Sequence, residues 1–138
     1  MYNKLMDNEY RHSKTTVSLL NYHFVFCPRY RRKLFVNSEV DARFKSLVHS
    51  ICKENEWEIM AIETDKDHCH LFVNVQPTYS PEDIMKVIKG RTSRELRQSF
   101  EHLSKMPSVW TRSYFVSTAG NVSSETIKRY VESQRTRY

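Results

Sequence analysis

The stretch from His68 to Val75 restricts the fold most, because polar and apolar residues alternate along it. Successive side chains of a β-strand point to opposite faces of a sheet. One face therefore receives His68, His70, Phe72 and Asn74, and the other receives Cys69, Leu71, Val73 and Val75. The second set is apolar and indicates a core face. The chain is thus expected to build a sheet with one face against a core and the other open to a ligand.

The remaining elements follow from similar patterns of periodicity and capping. The predicted elements are a strand over Ser18–Cys27, a helix capped by Asn37 or Ser38 and running to about Glu54, strands over Trp57–Glu63 and His68–Val75 joined by the turn Thr64–Asp67, a helix from Ser80 to about Lys105, a strand over Trp110–Thr118, and a last helix capped by Ser123 or Ser124. This order predicts an α+β fold, a ferredoxin-like or RRM-like split βαββαβ antiparallel sheet. Helices cover one face, and a C-terminal helix carrying Tyr130 is added.

Length and charge narrow the class of protein. The 138 residues fit one domain, 1–138, and the net charge of +6 favours nucleic acid as a partner over an ordinary basic protein without one. No apolar run approaches the roughly 20 residues that span a bilayer, and the first residues are polar, so we expect no membrane partner and a cytoplasmic location. The three cysteines form no CxxC pair and are expected to be reduced thiols.

His68 and His70 project side by side from the open face of the predicted sheet. Two imidazoles in this arrangement are able to bind one divalent metal ion. The alternative is a pair of surface histidines on a half-exposed strand. Cys69 points into the core and is expected to be an inert thiol.

The last predicted helix places Tyr130 and Gln134 one turn apart on the same face. Ile127 and Val131 form the neighbouring ridge and are expected to anchor the helix on the sheet. This arrangement would hold a tyrosine hydroxyl next to a polar ligand. The alternative is that Tyr130 only packs, since the chain has eight tyrosines.

Basic residues concentrate in two places that could bind phosphates, with Tyr30 able to stack on a base. The turn after the first strand contains Arg29, Tyr30, Arg31, Arg32 and Lys33, and one side of the second helix carries Lys86, Lys89, Arg94 and Arg97. Each set is equally compatible with an ordinary solvated surface.

Taken together, these motifs resemble the single-tyrosine HUH transposases of bacterial insertion sequences, the TnpA proteins of the insertion-sequence 200/605 family. HUH denotes histidine, a hydrophobic residue and histidine, and here it reads His68-Cys69-His70. The resemblance covers nearly the whole chain and includes the segments YHFVFCPRYRRKLF, IKGRTSRELR and WTRSYFVSTAGNVSSETIKRYVESQ.

The resemblance implies a function and a set of residues for it. His68, His70 and Gln134 would bind a divalent metal, Mg²⁺ or Mn²⁺, and Tyr130 would be the nucleophile. Tyr130 would cleave single-stranded DNA at hairpin-marked element ends and form a 5′-phosphotyrosine from which the strand is rejoined. Partner subunits would form a homodimer, with sites assembled in cis or in trans, and Gly120 would be the hinge before the tyrosine helix.

Three alternative functions are consistent with part of these features. A two-histidine phosphoesterase is disfavoured because the chain lacks two HxT or HxS motifs. A non-enzymatic single-stranded nucleic-acid-binding module would place aromatic residues, not His68 and His70, on the open face. A host-domesticated relative that processes palindromes is poorly distinguished from a mobile transposase by sequence.

Overall fold

The structure is a computed structural model that describes residues 10–118 and 124–134. Its strands and α-helices, in chain order, are β1 Arg11–His12, β2 Val17–Ser18, β3 Leu20–Phe26, α1 Ser38–Glu54, β4 Glu58–Asp65, β5 His68–Val75, α2 Pro81–Ser99, β6 Phe115–Ser117 and α3 Ser124–Ser133. Short 3₁₀ turns lie at Arg29–Arg31, Leu34–Val36 and Glu101–Leu103. Within these residues, every helix is too short or too polar to span a membrane.

The central sheet has four antiparallel strands in the order β4-β5-β3-β6. Strands β3 and β4 are separated by β5, which is the split βαβ arrangement predicted from the order of elements. The core face of the sheet, formed by residues such as Phe24, Leu71 and Val73, packs under α1 and α2. On the opposite face, α3 packs its Ile127 and Val131 against Val25 and Cys27 of the β3 region. The predicted fold class is confirmed.

The two long helices begin where the sequence predicts. The Asn37 side chain accepts hydrogen bonds from the backbone N–H groups of Glu39 and Val40 at 3.0 and 3.2 Å. Ser80 and Asp83 form a reciprocal capping box, with both side-chain to backbone distances at 3.1 Å. These contacts satisfy N–H groups that have no partner inside the helix.

Two element boundaries differ from the prediction at the far end of α2. The helix ends at Ser99 rather than near Lys105, because Phe100 takes an extended conformation and packs against the core. The predicted strand over Trp110–Thr118 pairs with β3 only from Phe115 to Ser117. Trp110 forms an isolated bridge with Pro28, and the Ser113 carbonyl accepts a hydrogen bond from Lys89 rather than from a strand.

The first predicted strand is also divided. Val17–Ser18 pairs with Arg11–His12 in a separate two-stranded hairpin, and the main sheet begins at Leu20. Arg11 is buried and donates hydrogen bonds to the Asn74 side chain and to the Glu56 carbonyl. The hairpin therefore covers the end of β5, which explains why Asn74 is fully buried although it faces away from the core.

Candidate active site

A pocket of about 670 Å³ lies on the open face of the sheet, between β5 and α3. We define this open face as the side that carries His23, Val25, His68, His70 and Phe72. The pocket walls include both predicted metal-binding histidines and the Arg31 and Asp67 side chains. The sequence prediction that His68 and His70 share one face is confirmed by the burial of Cys69 and Leu71 on the other.

Each histidine of the pair is held through its Nδ1 atom. Nδ1 of His68 lies 3.0 Å from a carboxylate oxygen of Asp67, and Nδ1 of His70 lies 3.1 Å from Nε2 of His23. The two rings are 5.0 Å apart between centroids. Because both Nδ1 atoms are engaged, Nε2 is the atom of each ring that remains available for a metal ion. This orientation of imidazoles by neighbouring groups is typical of metal-binding histidines.

The electrostatics keep the His70 ring neutral near pH 7. Burial, followed by the nearby His68 and His23, lowers the pKa of His70 to about 4. A neutral imidazole is the form that binds a metal. Burial alone would raise the pKa of the Asp67 carboxyl, but hydrogen bonds from His68 and Arg31 bring that pKa below its ordinary value. Asp67 is therefore a charged acceptor for His68 at neutral pH.

The sequence reasoning missed the acidic neighbours of the pair. In the register of β4 and β5, Glu63 lies opposite His70 and Asp65 lies opposite His68. Directly opposed residues of antiparallel strands project on the same face, and both carboxylates line the pocket. Alternation along β4 could have placed them on the open face, but the register that pairs them with the histidines was not readable from sequence.

Helix α3 is anchored as predicted, but it presents other residues to the pocket. Ile127, Lys128, Val131 and Glu132 line the pocket beside the histidines. The Tyr130 hydroxyl lies 3.2 Å from the hydroxyl of Ser113. The Tyr130 ring is 6.0 Å from Phe115 between centroids.

A series of ring contacts on the open face links Tyr130 to the histidine pair. Phe115 lies 6.2 Å from His23, and His23 lies 5.4 Å from His70, measured between ring centroids. Ring contacts thus connect Tyr130 to His70 through Phe115 and His23. Tyr130 is not among the residues that line the histidine pocket. Whether the tyrosine and the histidines meet in cis or in trans stays a prediction.

Gln134 is almost fully buried at 1% exposure. Its amide nitrogen donates to the Ser133 hydroxyl, and within the described residues its Oε1 atom has no hydrogen-bond partner. Buried acceptors without a partner are uncommon and call for an explanation. An unpartnered amide oxygen is chemically able to bind a cation, but Gln134 is not among the residues that line the histidine pocket. Over residues 10–118 and 124–134, no cluster of three or more His, Cys, Asp or Glu side chains could hold a metal ion by itself.

In the basic turn, Arg31 lines the pocket, whereas other residues are exposed to solvent. The Arg31 guanidinium contacts Asp67 at 2.8 Å and Glu132 at 3.6 Å, which joins the turn to β5 and α3 at the rim of the pocket. Tyr30 is 60% exposed and has a positive φ of 60°, as does Arg31 at 51°. Arg32 and Lys33 are exposed.

The four basic residues of α2 have different environments. Lys86 and Arg94 are exposed, whereas Arg97 donates to the backbone carbonyls of Ser93 and Met106. Burial lowers the pKa of Lys89 to about 8, and its amino group donates to the Ser113 carbonyl at 3.0 Å. Arg97 and Lys89 therefore also stabilise the local structure.

A second groove, of about 420 Å³, is lined by basic residues from both the basic turn and α2. Its walls include Arg29, Lys86, Lys89, Arg112 and Tyr114. The sequence reasoning missed Arg112 and Tyr114, because both lie in the irregular segment that replaces the first half of the predicted strand. The predicted hinge, Gly120, and the predicted cap Ser123 lie outside the described residues.

A split antiparallel sheet with a histidine pair on its open face and a terminal tyrosine helix over that face defines the class of single-tyrosine transposases that the sequence resembles. Residues 16–134 match the family model for IS200-like transposases. The chain therefore belongs to the IS200-like transposase family, and its assignment as a transposase is confirmed at that level.

Relatives and a solved structure agree. The chain is 27% identical over 129 residues to the ISDra2 transposase TnpA of Deinococcus radiodurans, covering 91% of each chain. It is 30% identical over 116 residues to the transposase for insertion sequence element IS200 of Salmonella typhimurium, covering 82% of this chain and 75% of the relative. A crystal structure of a D. radiodurans transposase superposes with a TM-score of 0.82 at 28% identity, covering 90% of this chain and 97% of that one.

Proposed function

We propose that this chain is a metal-dependent transposase that cleaves and rejoins single-stranded DNA at hairpin-marked element ends through a 5′-phosphotyrosine on Tyr130. The observation that carries the proposal is the histidine pair of β5. Both rings are fixed through Nδ1, both turn a potential ligand atom to a pocket, and the helix over that pocket carries Tyr130 and Gln134.

The proposed metal ligands are His68, His70 and Gln134. Two imidazole nitrogens and an amide oxygen suit a divalent ion such as Mn²⁺, or Mg²⁺ when phosphate and water oxygens complete its coordination. The bound ion would polarise the scissile phosphate and stabilise the charge that develops on the leaving oxygen. Arg31 at the rim is positioned to contact a phosphate once DNA displaces Asp67 or Glu132 from its guanidinium.

The proposed reaction is a transesterification. The Tyr130 oxygen attacks phosphorus, the bond from phosphorus to the 3′-oxygen breaks, and the phenol proton ends on that oxygen as a 3′-hydroxyl. The new phosphotyrosine ester conserves the energy of the broken bond, so attack by another 3′-hydroxyl restores a DNA strand and regenerates the phenol. A phenol has a reference pKa of about 10 and is mostly protonated at neutral pH. Alignment and charge neutralisation at the phosphate must therefore supply most of the acceleration.

The proposal requires Tyr130 and Gln134 to reach the histidine pair. The hydroxyl of Tyr130 contacts Ser113 in the single chain, so either α3 of the same chain moves or α3 of a partner subunit supplies the two residues. Two cleavages are needed to excise an element, and a homodimer with one tyrosine per subunit provides them. We therefore propose a homodimer as the active form.

The groove of Arg29, Lys86, Lys89, Arg112 and Tyr114 is the proposed path of the DNA strand beside Tyr130. Lys89 donates to the carbonyl of Ser113, the residue whose hydroxyl contacts Tyr130. Positive charges bind the phosphates, and the Tyr114 ring offers a surface on which a base can stack. Arg94, Arg32 and Lys33 lie on exposed surface and would extend the contact to the hairpin.

The test is the formation of a covalent adduct. Wild-type protein is incubated with Mn²⁺ and labelled single-stranded DNA that carries a hairpin, and the products are separated after denaturation. We expect an adduct with wild type and with the control Tyr10→Phe, whose tyrosine is exposed, and none with Tyr130→Phe. An adduct that persists in Tyr130→Phe would remove Tyr130 from the proposed role.

The histidine pair is tested in the same assay. His68→Ala and His70→Ala should abolish the adduct while hairpin binding, measured by gel shift, stays within about threefold of wild type. His49→Ala removes an exposed histidine of α1 and is the matched control. Full activity in His70→Ala would contradict the metal assignment.

Mixed dimers decide between assembly in cis and in trans. A subunit with Tyr130→Phe is combined with a subunit that carries His68→Ala and His70→Ala, neither of which is active alone. In such a heterodimer, one subunit supplies the wild-type histidines and the other supplies the wild-type Tyr130. Recovered cleavage would therefore establish assembly in trans. No recovery in verified heterodimers would favour movement of α3 within one chain.

A further inference from the structure

His23 contacts the histidine pair at His70 and has no role in the chemistry proposed for His68, His70 and Tyr130. It lies on β3, two residues from Val25, whose register partner on β5 is His70. Its ring is 5% exposed and stacks on Phe72 at 4.1 Å with an interplanar angle of 12°. Phe115 lies against it at 6.2 Å. Neighbouring rings therefore fix the His23 ring in one orientation.

Among the described residues, the polar contact of the His23 side chain runs to the proposed metal ligand. Nε2 of His23 lies 3.1 Å from Nδ1 of His70. For Nε2 of His70 to bind a cation it must carry no proton, so Nδ1 carries the proton and donates it in a hydrogen bond. His23 is then the acceptor through its own Nε2.

The other ring nitrogen of His23, Nδ1, bears on whether Nε2 can be the acceptor for His70. Nδ1 of His23 is buried and has no hydrogen-bond partner in the part of the chain that the structure describes. No neighbour there fixes which of its nitrogens is protonated. When Nε2 accepts from His70, the proton of the neutral ring lies on Nδ1, which has no acceptor among the described residues. By contrast, His68 is oriented by the Asp67 carboxylate, an obligate acceptor when charged.

We propose that His23 is a positioning residue for metal binding, which accepts a hydrogen bond from Nδ1 of His70 and thereby directs the unprotonated Nε2 of His70 into the pocket. This inference rests on the proposed function of His68 and His70. It assigns the two ligands different supports, a carboxylate for His68 and a third imidazole for His70. In this role His23 is not itself a ligand of the metal ion.

The test is the Mn²⁺ affinity of the full chain, measured by titration calorimetry without DNA. His23→Phe keeps a ring on Phe72 and removes both nitrogens. His23→Gln places an amide oxygen near the former Nε2, whereas the side chain of His23→Asn is one carbon shorter and falls short of it. We expect Phe and Asn to weaken Mn²⁺ binding about tenfold or more, the usual effect of removing a group that orients a metal ligand, and Gln to stay within about threefold of wild type.

Cleavage gives a second readout that loss of packing would not reproduce. In His23→Phe the Mn²⁺ concentration for half-maximal adduct formation should rise about tenfold, while the rate at saturating Mn²⁺ stays within about threefold. Thermal unfolding of each variant shows whether it is folded, and His23→Asn replaces His23→Phe as the removal variant if the latter is not.

The outcomes separate the two proposals. Wild-type affinity in both folded removal variants, or a loss in His23→Gln as large as in His23→Phe, would overturn the positioning role and leave the metal site in place. A wild-type chain that binds Mn²⁺ no better than His68→Ala would overturn the proposed metal site and the positioning role together.

Discussion

The two faces of the central sheet differ in how many apolar side chains they bury. The core face contributes fully buried residues such as Phe24, Phe26 and Leu71, which continue into a single cluster under α1 and α2. The buried apolar cluster on the open face consists of Val25, Cys27, Ile127 and Val131, with Phe115 and Tyr130 partly buried beside it. The same strands thus support a large core on one side and a small docking patch on the other.

This difference separates stability from chemistry. The open face carries the histidine pocket, the linked aromatic rings and α3. The side chains of His68 and His70 are half-buried there. Elements with little buried apolar surface are those that open most easily in native proteins. We infer that the core face sets global stability and that the open face can rearrange without unfolding the sheet.

The largest expected effect is a truncation on the core face. Phe24 is fully buried, and Phe24→Ala should destabilise the chain by about 3–5 kcal/mol, the usual result of removing a buried aromatic ring. Denaturant unfolding measures the change. Val116→Ala, on the 37% exposed Val116 of β6, should cost no more than about 0.5 kcal/mol. A cost below about 1 kcal/mol for Phe24→Ala would break the comparison.

The core face was also the part most readable from sequence. Alternation in β3 and β5 and helical spacing in α1 predicted the buried residues, because burial imposes a period on the chain. Caps at Asn37 and Ser80 were predicted for a similar local reason. The end of α2 and the length of β6 were predicted wrongly. Packing against the core determines the backbone at Phe100 and Trp110, and the local sequence pattern does not show this packing.

The second effect concerns pH and should arise on the open face. The pKa of His70 is about 4 in the fold and near 6.5 in an unfolded chain. Between these values the unfolded chain holds a proton that the native ring lacks, so stability decreases as pH falls from 6.5 towards 4. At about 1.4 kcal/mol per pKa unit, reduced for partial exposure, the loss is roughly 2 kcal/mol.

Comparison with His70→Asn isolates this contribution from other titrating groups. Metal-free wild type and variant are unfolded in denaturant at pH 7 and at pH 4.5. The wild type should lose more stability than the variant over this interval. Burial raises the pKa of the core-face thiol of Cys52 to about 12, so that group adds nothing in this window. Equal losses in the two proteins would show that His70 is not the source.

The third effect is local to the docking patch. Val131 is 6% exposed, and Val131→Ala removes two methyl groups, worth about 0.8 kcal/mol each. Hydrogen exchange of the α3 amides should therefore become about tenfold faster, while exchange in β3 and β5 stays unchanged. Arg129→Ala, at an exposed position of α3, is the control. Equal acceleration in β3 would mean that α3 and the sheet unfold as one unit.

The candidate site was predictable in its residues but not in its arrangement. Spacing alone put His68 beside His70 and Tyr130 above Gln134, because each pair lies within one element. Spacing along the chain does not encode strand register or the packing of one element on another. These determine the position of α3 relative to β5, the place of Glu63 opposite His70, and the contact of His23 with His70. For the same reason the contact of Tyr130 with Ser113 was not predictable from spacing.

The smallest effect tests whether that contact competes with the proposed chemistry. The hydroxyls of Tyr130 and Ser113 are 3.2 Å apart, and a neutral hydrogen bond contributes about 1 kcal/mol or less. If Tyr130 must leave Ser113 to react, Ser113→Ala destabilises the docked arrangement and raises the reactive population, up to about fivefold in the initial rate of adduct formation. Ser104→Ala, at an exposed serine far from α3 in sequence, should leave the rate unchanged. A slower rate in Ser113→Ala would instead make Ser113 a support of the reactive state, and the docked arrangement of α3 would then belong to the catalytic cycle rather than precede it.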